Sequence, residues 1–168
     1  MQESSFWKNK NVLITGHTGF KGTWLLIWLV KMGAKVFGYS LKADNDSLFN
    51  SVKYKLKDKF IHSESNILDL DQIKEYINDI QPDIVFHLAA QSLVRKSYSD
   101  PLNTWNTNLI GTINILEASR LIKKKCSIVI ITTDKVYRNN EWLYGYREND
   151  DLGGFDPYSA SKACVEIA

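Results

Sequence analysis

Along the chain, short apolar runs and longer segments of helical period alternate. Asn11–Thr15 is apolar and runs straight into a glycine, which predicts a buried strand. From Gly19 to Met32 the residues are apolar on most faces, and Gly33 supplies a C-terminal stop, the pattern of a helix. Lys35–Ser40 predicts a second strand, Lys59–Ser63 a third and Asp83–Leu88 a fourth. Between the last two, Asp71–Ile80 carries Ile73, Tyr76, Ile77 and Ile80 at helical spacing, with Pro82 just beyond. A loop is expected from Leu88 to Pro101. A helix from Asp100 to Lys124 comes next, with Leu109, Ile113 and Leu116 on one stripe. Ser127–Thr133 predicts a fifth strand, and Asp156 opens a last helix at Pro157.

Strands that alternate with helices need right-handed crossovers, which build a parallel sheet with helices on both faces. The expectation is α/β, a Rossmann doubly wound sheet with strand order beginning 3-2-1-4-5. Ala168 falls inside the last predicted helix, before the sixth strand usual in this architecture. The expected object is therefore the N-terminal part of something longer, truncated before the later strands.

Composition narrows the classes. With 168 residues, 44% hydrophobic and 24% charged, the chain fits one globular domain and is neither disordered nor collagen-like. Lys+Arg 21 against Asp+Glu 19 leaves +2, too little to argue for nucleic acid, and the basic runs within Lys53–Lys59 and Lys123–Lys125 read as solvated faces. Cys126 and Cys164 have neither metal-ligand spacing nor a disulfide framework, which points to a reducing compartment. The three histidines are scattered, so no metal is expected. The first residues lack the apolar core of a signal peptide, and the apolar run Trp24–Val30 falls well short of the roughly 20 residues that span a bilayer. A cytoplasmic protein without a membrane partner is expected.

The first strand leads into Gly16-His17-Thr18-Gly19-Phe20-Lys21-Gly22. Small residues there let the backbone approach a pyrophosphate, which then lies on a helix N-terminus, so this turn is a candidate dinucleotide site. No acid ends the second strand to hold an adenosine ribose; Tyr39-Ser40 ends it, with Lys42 and Asp44 nearby. Lys42 would suit a 2′-phosphate, so these residues leave NAD and NADP both open. Tyr158 and Lys162 lie four apart, on one face of the last helix, where an ammonium lowers the pKa of a phenol used as a base. Thr133-Asp134-Lys135 ends the fifth strand, either as an acid–base pair or as a polar exit from the sheet. His87 reads as a packed core histidine. Trp142, Tyr144 and Tyr146 share a loop, where substrate contact and core packing are equally open.

Taken together, these motifs resemble the extended short-chain dehydrogenase/reductase family. The elements that carry the resemblance are Gly16-x-x-Gly19-x-x-Gly22, His87-Leu88-Ala89-Ala90, Thr107-Asn108-x-x-Gly111-Thr112, Thr133 and Tyr158-x-x-x-Lys162. The segments 16–22, 87–101, 133–137 and 141–163 look like the branch that dehydrates nucleotide-linked glucose, in particular CDP-glucose; the dTDP-sugar relatives carry a glutamate where this chain has Lys135. The resemblance implies that residues 1–168 are a single NAD-binding domain, without the C-terminal substrate domain, and inactive alone. It implies NAD held by Gly16, Thr18, Gly19, Phe20, Lys21, Gly22, Ser40, Asn66, Ile67, Leu88, Ala89, Ala90, Tyr158 and Lys162. Asn66 stands where an aspartate is common. Tyr158, with Lys162 and Thr133, would take the sugar 4-hydroxyl proton while C4 gives up hydride. Lys135 would take the C5 proton, Asp134 would protonate the departing 6-hydroxyl, and Asn108 would support the proton relay. Gln91, Ser92 and Thr133 would contact the sugar, and a homo-oligomer, dimer or tetramer, is implied for the whole enzyme. A 4-epimerase of the same family needs Tyr158 and Lys162 but no Asp134–Lys135 pair. An inert dinucleotide-binding module is the alternative from another class.

Overall fold

The computed structural model describes residues 4–168. Its strands are β1 (Asn11–Thr15), β2 (Lys35–Ser40), β3 (Phe60–Glu64), β4 (Ile84–His87) and β5 (Ser127–Ile130). They pair in parallel throughout, in the order β3-β2-β1-β4-β5. This is the Rossmann arrangement the alternating pattern predicts. The helices are α1 (Ser4–Trp7), α2 (Phe20–Lys31), α3 (Leu48–Val52), α4 (Leu70–Ile80), α5 (Val94–Ser99), α6 (Pro101–Trp105), α7 (Gly111–Ser119) and α8 (Pro157–Ile167).

Two compact bodies form. The first comprises residues up to Ala89 together with Asn114–Ile130, and holds the whole sheet. Its core has two layers because consecutive strand residues face opposite sides. Val12, Ile14, Val36 and Ile84 pack with Leu26, Leu29 and Phe49 on one face. Leu13, Tyr39 and Val85 pack with Ile73, Ile77, Ile115 and Ala118 on the other. Buried central strands account for the continuous apolar runs of the sequence. The second body comprises Ala90–Ile113 and Ile131–Ala168, and many of its buried side chains are polar: Gln91, Ser97, Thr104, Asn108, Ser159, Ser161 and Lys162.

The structure corrects several sequence-based boundaries. The expected loop before Pro101 contains α5, capped by no side chain, and α6 starts afresh on Asp100, which accepts from the Asn103 N–H. The helix expected over Asp100–Lys124 is interrupted by a π-turn at Asn106–Ile110 and ends at Ser119. A π-turn adds a residue to one turn and rotates the helix beyond it. Ile113 is consequently 40% exposed rather than on a buried stripe, while Asn108, Thr112 and Ile115 are buried. β5 stops at Ile130, three residues early, and α3 lies in a stretch with no expected element.

Candidate functional site

In the first body, Gly16 has φ +75 and makes the turn out of β1. A Cβ there would lie 2.7 Å from the Ala89 nitrogen, so Leu88-Ala89 passes directly against the turn. A Cβ on Gly22 would lie 2.2 Å from the Gly16 carbonyl oxygen, so the third glycine lets the first turn of α2 close on the loop. Gly19 differs. Its φ is −73, and a Cβ would meet only the Gly16 oxygen, at 3.4 Å. Neither strain nor crowding within the chain requires a glycine at position 19. What its missing side chain does is leave room in front of α2, whose N-terminus has no side-chain cap. A pyrophosphate fits that combination of open space and unengaged N–H groups.

Around this cradle, Thr18 and Ser40 hydroxyls pair at 2.6 Å, and Thr18 also donates to the Leu41 carbonyl. Phe20 and Lys21 are exposed. Asn66 accepts from the Leu68 N–H and forms a small turn, which Asn114 holds by donating to the carbonyls of Ile67 and Leu68. Asn114 was not singled out by sequence reasoning; a polar residue at a buried position of a helix is the signal that could have found it. His87 is buried, as expected of a core histidine, and its Nδ1 lies 2.6 Å from the Thr15 hydroxyl. That hydroxyl also accepts from the Ala89 N–H, so Thr15 positions the strand exit beside Gly16.

In the second body, α8 starts on Asp156, whose carboxylate accepts from the N–H and hydroxyl of Ser159. Gly154 packs so closely that a Cβ would lie 2.4 Å from the Ser159 Cβ. Tyr158 and Lys162 are both buried on this helix. Lys162 Nζ donates to the Ile131 carbonyl at 2.8 Å, and burial lowers its pKa to about 8, with Glu166 acting weakly the other way. The Tyr158 hydroxyl makes no hydrogen bond among the described residues.

Asn108, in the π-turn, is fully enclosed. Its Oδ1 accepts from the Gln91 N–H, and its Nδ2 donates to the Gln91 carbonyl and the Ser161 hydroxyl. Ser161 in turn donates to the Tyr158 carbonyl. Asn108 thus clamps the Gln91 backbone and the first turns of α8. The Gln91 side chain is spent internally on Leu93 and Thr104, while Ser92 is exposed and Ala90 opens this body. Thr133 donates to Asp134 at 3.0 Å, and Lys135 Nζ lies 3.8 Å from the same carboxylate. The Asp134 and Lys135 side chains are 85% and 54% exposed. The loop aromatics form a cluster of their own, with Trp142 stacked on Tyr144 and Tyr137 on Tyr146.

The chain thus combines a Rossmann sheet and an open glycine turn in one body with a Tyr158–Lys162 helix and the Thr133-Asp134-Lys135 turn in the other. The sequence pattern of the GDP-mannose 4,6 dehydratase family matches residues 13–168, and the chain belongs to that family. It is 47% identical over 168 residues to CDP-glucose 4,6-dehydratase of Salmonella typhimurium, an alignment that covers 99% of this chain and 46% of the relative. Among solved structures it is similar to UDP-glucose 4-epimerase of Thermotoga maritima with UDP-glucose, with TM-score 0.81 and 26% identity over 94% of this chain and 49% of that one. The NAD complex of UDP-glucose 4-epimerase from Brucella ovis shares the fold, with TM-score 0.79 and 24% identity over 94% of this chain and 46% of that one. The chain spans about half the length of the relatives it matches. Among the described residues no helix is long and apolar enough to cross a membrane.

Proposed function

We propose that this chain is the cofactor-binding and acid–base portion of an NAD-dependent CDP-glucose 4,6-dehydratase. The observation that carries the reading is the Thr133-Asp134-Lys135 turn, which sets a carboxylate and an ammonium 3.8 Å apart in a body that also holds Tyr158 and Lys162. Epimerisation at C4 needs the tyrosine and lysine alone. Eliminating water needs a further base and a further acid. The 47% identity to a CDP-glucose 4,6-dehydratase supports the same reaction and the same nucleotide.

Gly16, Gly19 and Gly22, with Thr18, Phe20, Lys21, Ser40, Asn66, Ile67, Leu88, Ala89 and Ala90, would hold the dinucleotide, which would supply reversible hydride transfer with the sugar carbons C4 and C6. Tyr158 takes the 4-hydroxyl proton. The Lys162 ammonium favours the phenolate electrostatically, and its bond to the Ile131 carbonyl sets the position of that charge. The resulting ketone acidifies C5–H; Lys135 takes that proton and Asp134 passes one to the 6-hydroxyl, which leaves as water. Thr133 positions Asp134 through its 3.0 Å bond, and Thr133 with Gln91 and Ser92 contacts the sugar. Asn108 keeps α8 and the Gln91 segment in register. A homo-oligomer in the cytoplasm completes the reading.

The test supplies the protein, translated from its complete reading frame, with CDP-glucose, UDP-glucose and dTDP-glucose in turn. Loss of one water from CDP-glucose, with a 4-keto chromophore in base, is the expected result. A C4 epimer with no loss of water would replace the dehydratase by an epimerase, and no turnover of any of the three would leave a binding module.

A further inference from the structure

On the edge of the first body, the segment after β2, α3 with the turn beyond it, and β3 line an open cleft of about 450 Å³. Alternation along β3 places Phe60, His62 and Glu64 on one face of the strand, and Phe60 and His62 pack edge-on or tilted against Phe49. The lining therefore includes the rings of Phe49, Tyr54, Phe60 and His62.

The charges around it are unusual. Lys42, Lys53 and Lys57 line the cleft with Asp58 and Glu64, yet among the described residues none of these five forms an ion pair. Lys53 is half-buried, and its ammonium lies 5.3 Å from the Tyr54 ring centroid. A partly buried ammonium beside an aromatic ring, in no ion pair with the Asp58 and Glu64 carboxylates of the same lining, can take an anion supplied from outside. The volume falls within the range of small-molecule sites.

We infer that this cleft is a binding site for a phosphorylated aromatic ligand of mononucleotide size, the ring against Phe49, Tyr54 and Phe60 and the phosphate on Lys53 with Lys42 or Lys57. It is separate from the glycine cradle but linked to it. His62 Nδ1 lies 2.7 Å from Nε2 of the buried His17, a residue of the glycine turn, whose ring packs flat on Gly38.

CMP, which lacks the adenine of the dinucleotide, is the probe, with cytidine and inorganic phosphate as its two parts. Isothermal titration of the 168-residue chain should show CMP binding tighter than either part. Lys53→Gln should weaken it about tenfold, as expected for loss of one charged hydrogen bond. Gly19→Val, in the glycine cradle, should leave it unchanged. No CMP binding, binding equal to that of phosphate alone, or affinity lost with Gly19→Val and kept with Lys53→Gln would each overturn the inference. Because Lys53 belongs to neither the cradle nor the acid–base set, failure here leaves the dehydratase reading intact.

Discussion

The ammonium of Lys162 donates to the main-chain carbonyl of Ile131 across 2.8 Å, while its side chain is almost wholly removed from water. A carbonyl only partly offsets the desolvation of a full charge, so the pKa falls from 10.5 to about 8. Between these values the unfolded chain holds a proton here that the folded chain has released. Stability therefore rises with pH from about 8 to 10.5, and the full penalty applies below about 8, on the order of 3 kcal/mol.

Thermal unfolding between pH 8 and 10 should show this slope in the wild type and lose it in Lys162→Met. Cys126, raised above 9.0 by burial, and Tyr39 and Tyr76, raised from 10.0 to about 12 by burial, act in the opposite sense as the pH nears and passes their unfolded values. They do so equally in both proteins, so the difference between the two slopes reports Lys162. Identical slopes in the two proteins would mean that Lys162 is well solvated.

The three glycines of the turn should respond differently to substitution. Gly22→Ala puts a Cβ within 2.2 Å of the Gly16 oxygen and should destabilise the first body by about 3 kcal/mol or more, read by urea unfolding. Gly19→Val meets only an ordinary contact and should cost about 1 kcal/mol or less. Its NAD affinity by calorimetry should nevertheless drop about tenfold or more, because the side chain occupies the phosphate space. Unchanged affinity would remove the turn from the cofactor site.

Asn108→Ala strips partners from the Gln91 N–H and carbonyl and from the Ser161 hydroxyl inside a closed environment. At about 1–3 kcal/mol for each unsatisfied group, with some relaxation, a loss of about 3 kcal/mol is expected in denaturant melts. A change below about 1 kcal/mol would show that water replaces the amide.

β5 is one edge of the sheet, and Ile128 and Val129 are both more than a third exposed. Such an edge pairs readily with another chain. Sedimentation of the 168-residue chain should show self-association that Val129→Lys reduces; a monomeric wild type would contradict this.

The sheet and the glycine turn were legible in the sequence because burial on both faces forces continuous apolar runs, and because Gly16 and Gly22 allow what no side chain could. The clamp made by Gln91, Asn108 and Ser161 was not. Its residues are polar yet enclosed, its π-turn breaks the helical period, and the stripe read through Ile113 consequently pointed to the wrong face. The partner of Lys162 is a main-chain carbonyl, which no residue pattern reveals. No role for His17 of its own was legible in the sequence, whereas its ring is buried on Gly38 and joined to His62.

In the proposed reaction, oxidation at C4 and elimination across C5–C6 use different residues of this chain. The most direct measurement mixes CDP-glucose with the NAD-loaded Lys135→Met protein, expressed from the complete reading frame, and tracks near-ultraviolet absorbance and product together. Without the base for C5, elimination should slow by about 10²–10⁴. Reduced cofactor should accumulate while little 4-keto-6-deoxy product forms, and Tyr158→Phe should give neither signal. Wild-type turnover by Lys135→Met would contradict the account, because Lys135 would then be an ordinary exposed lysine.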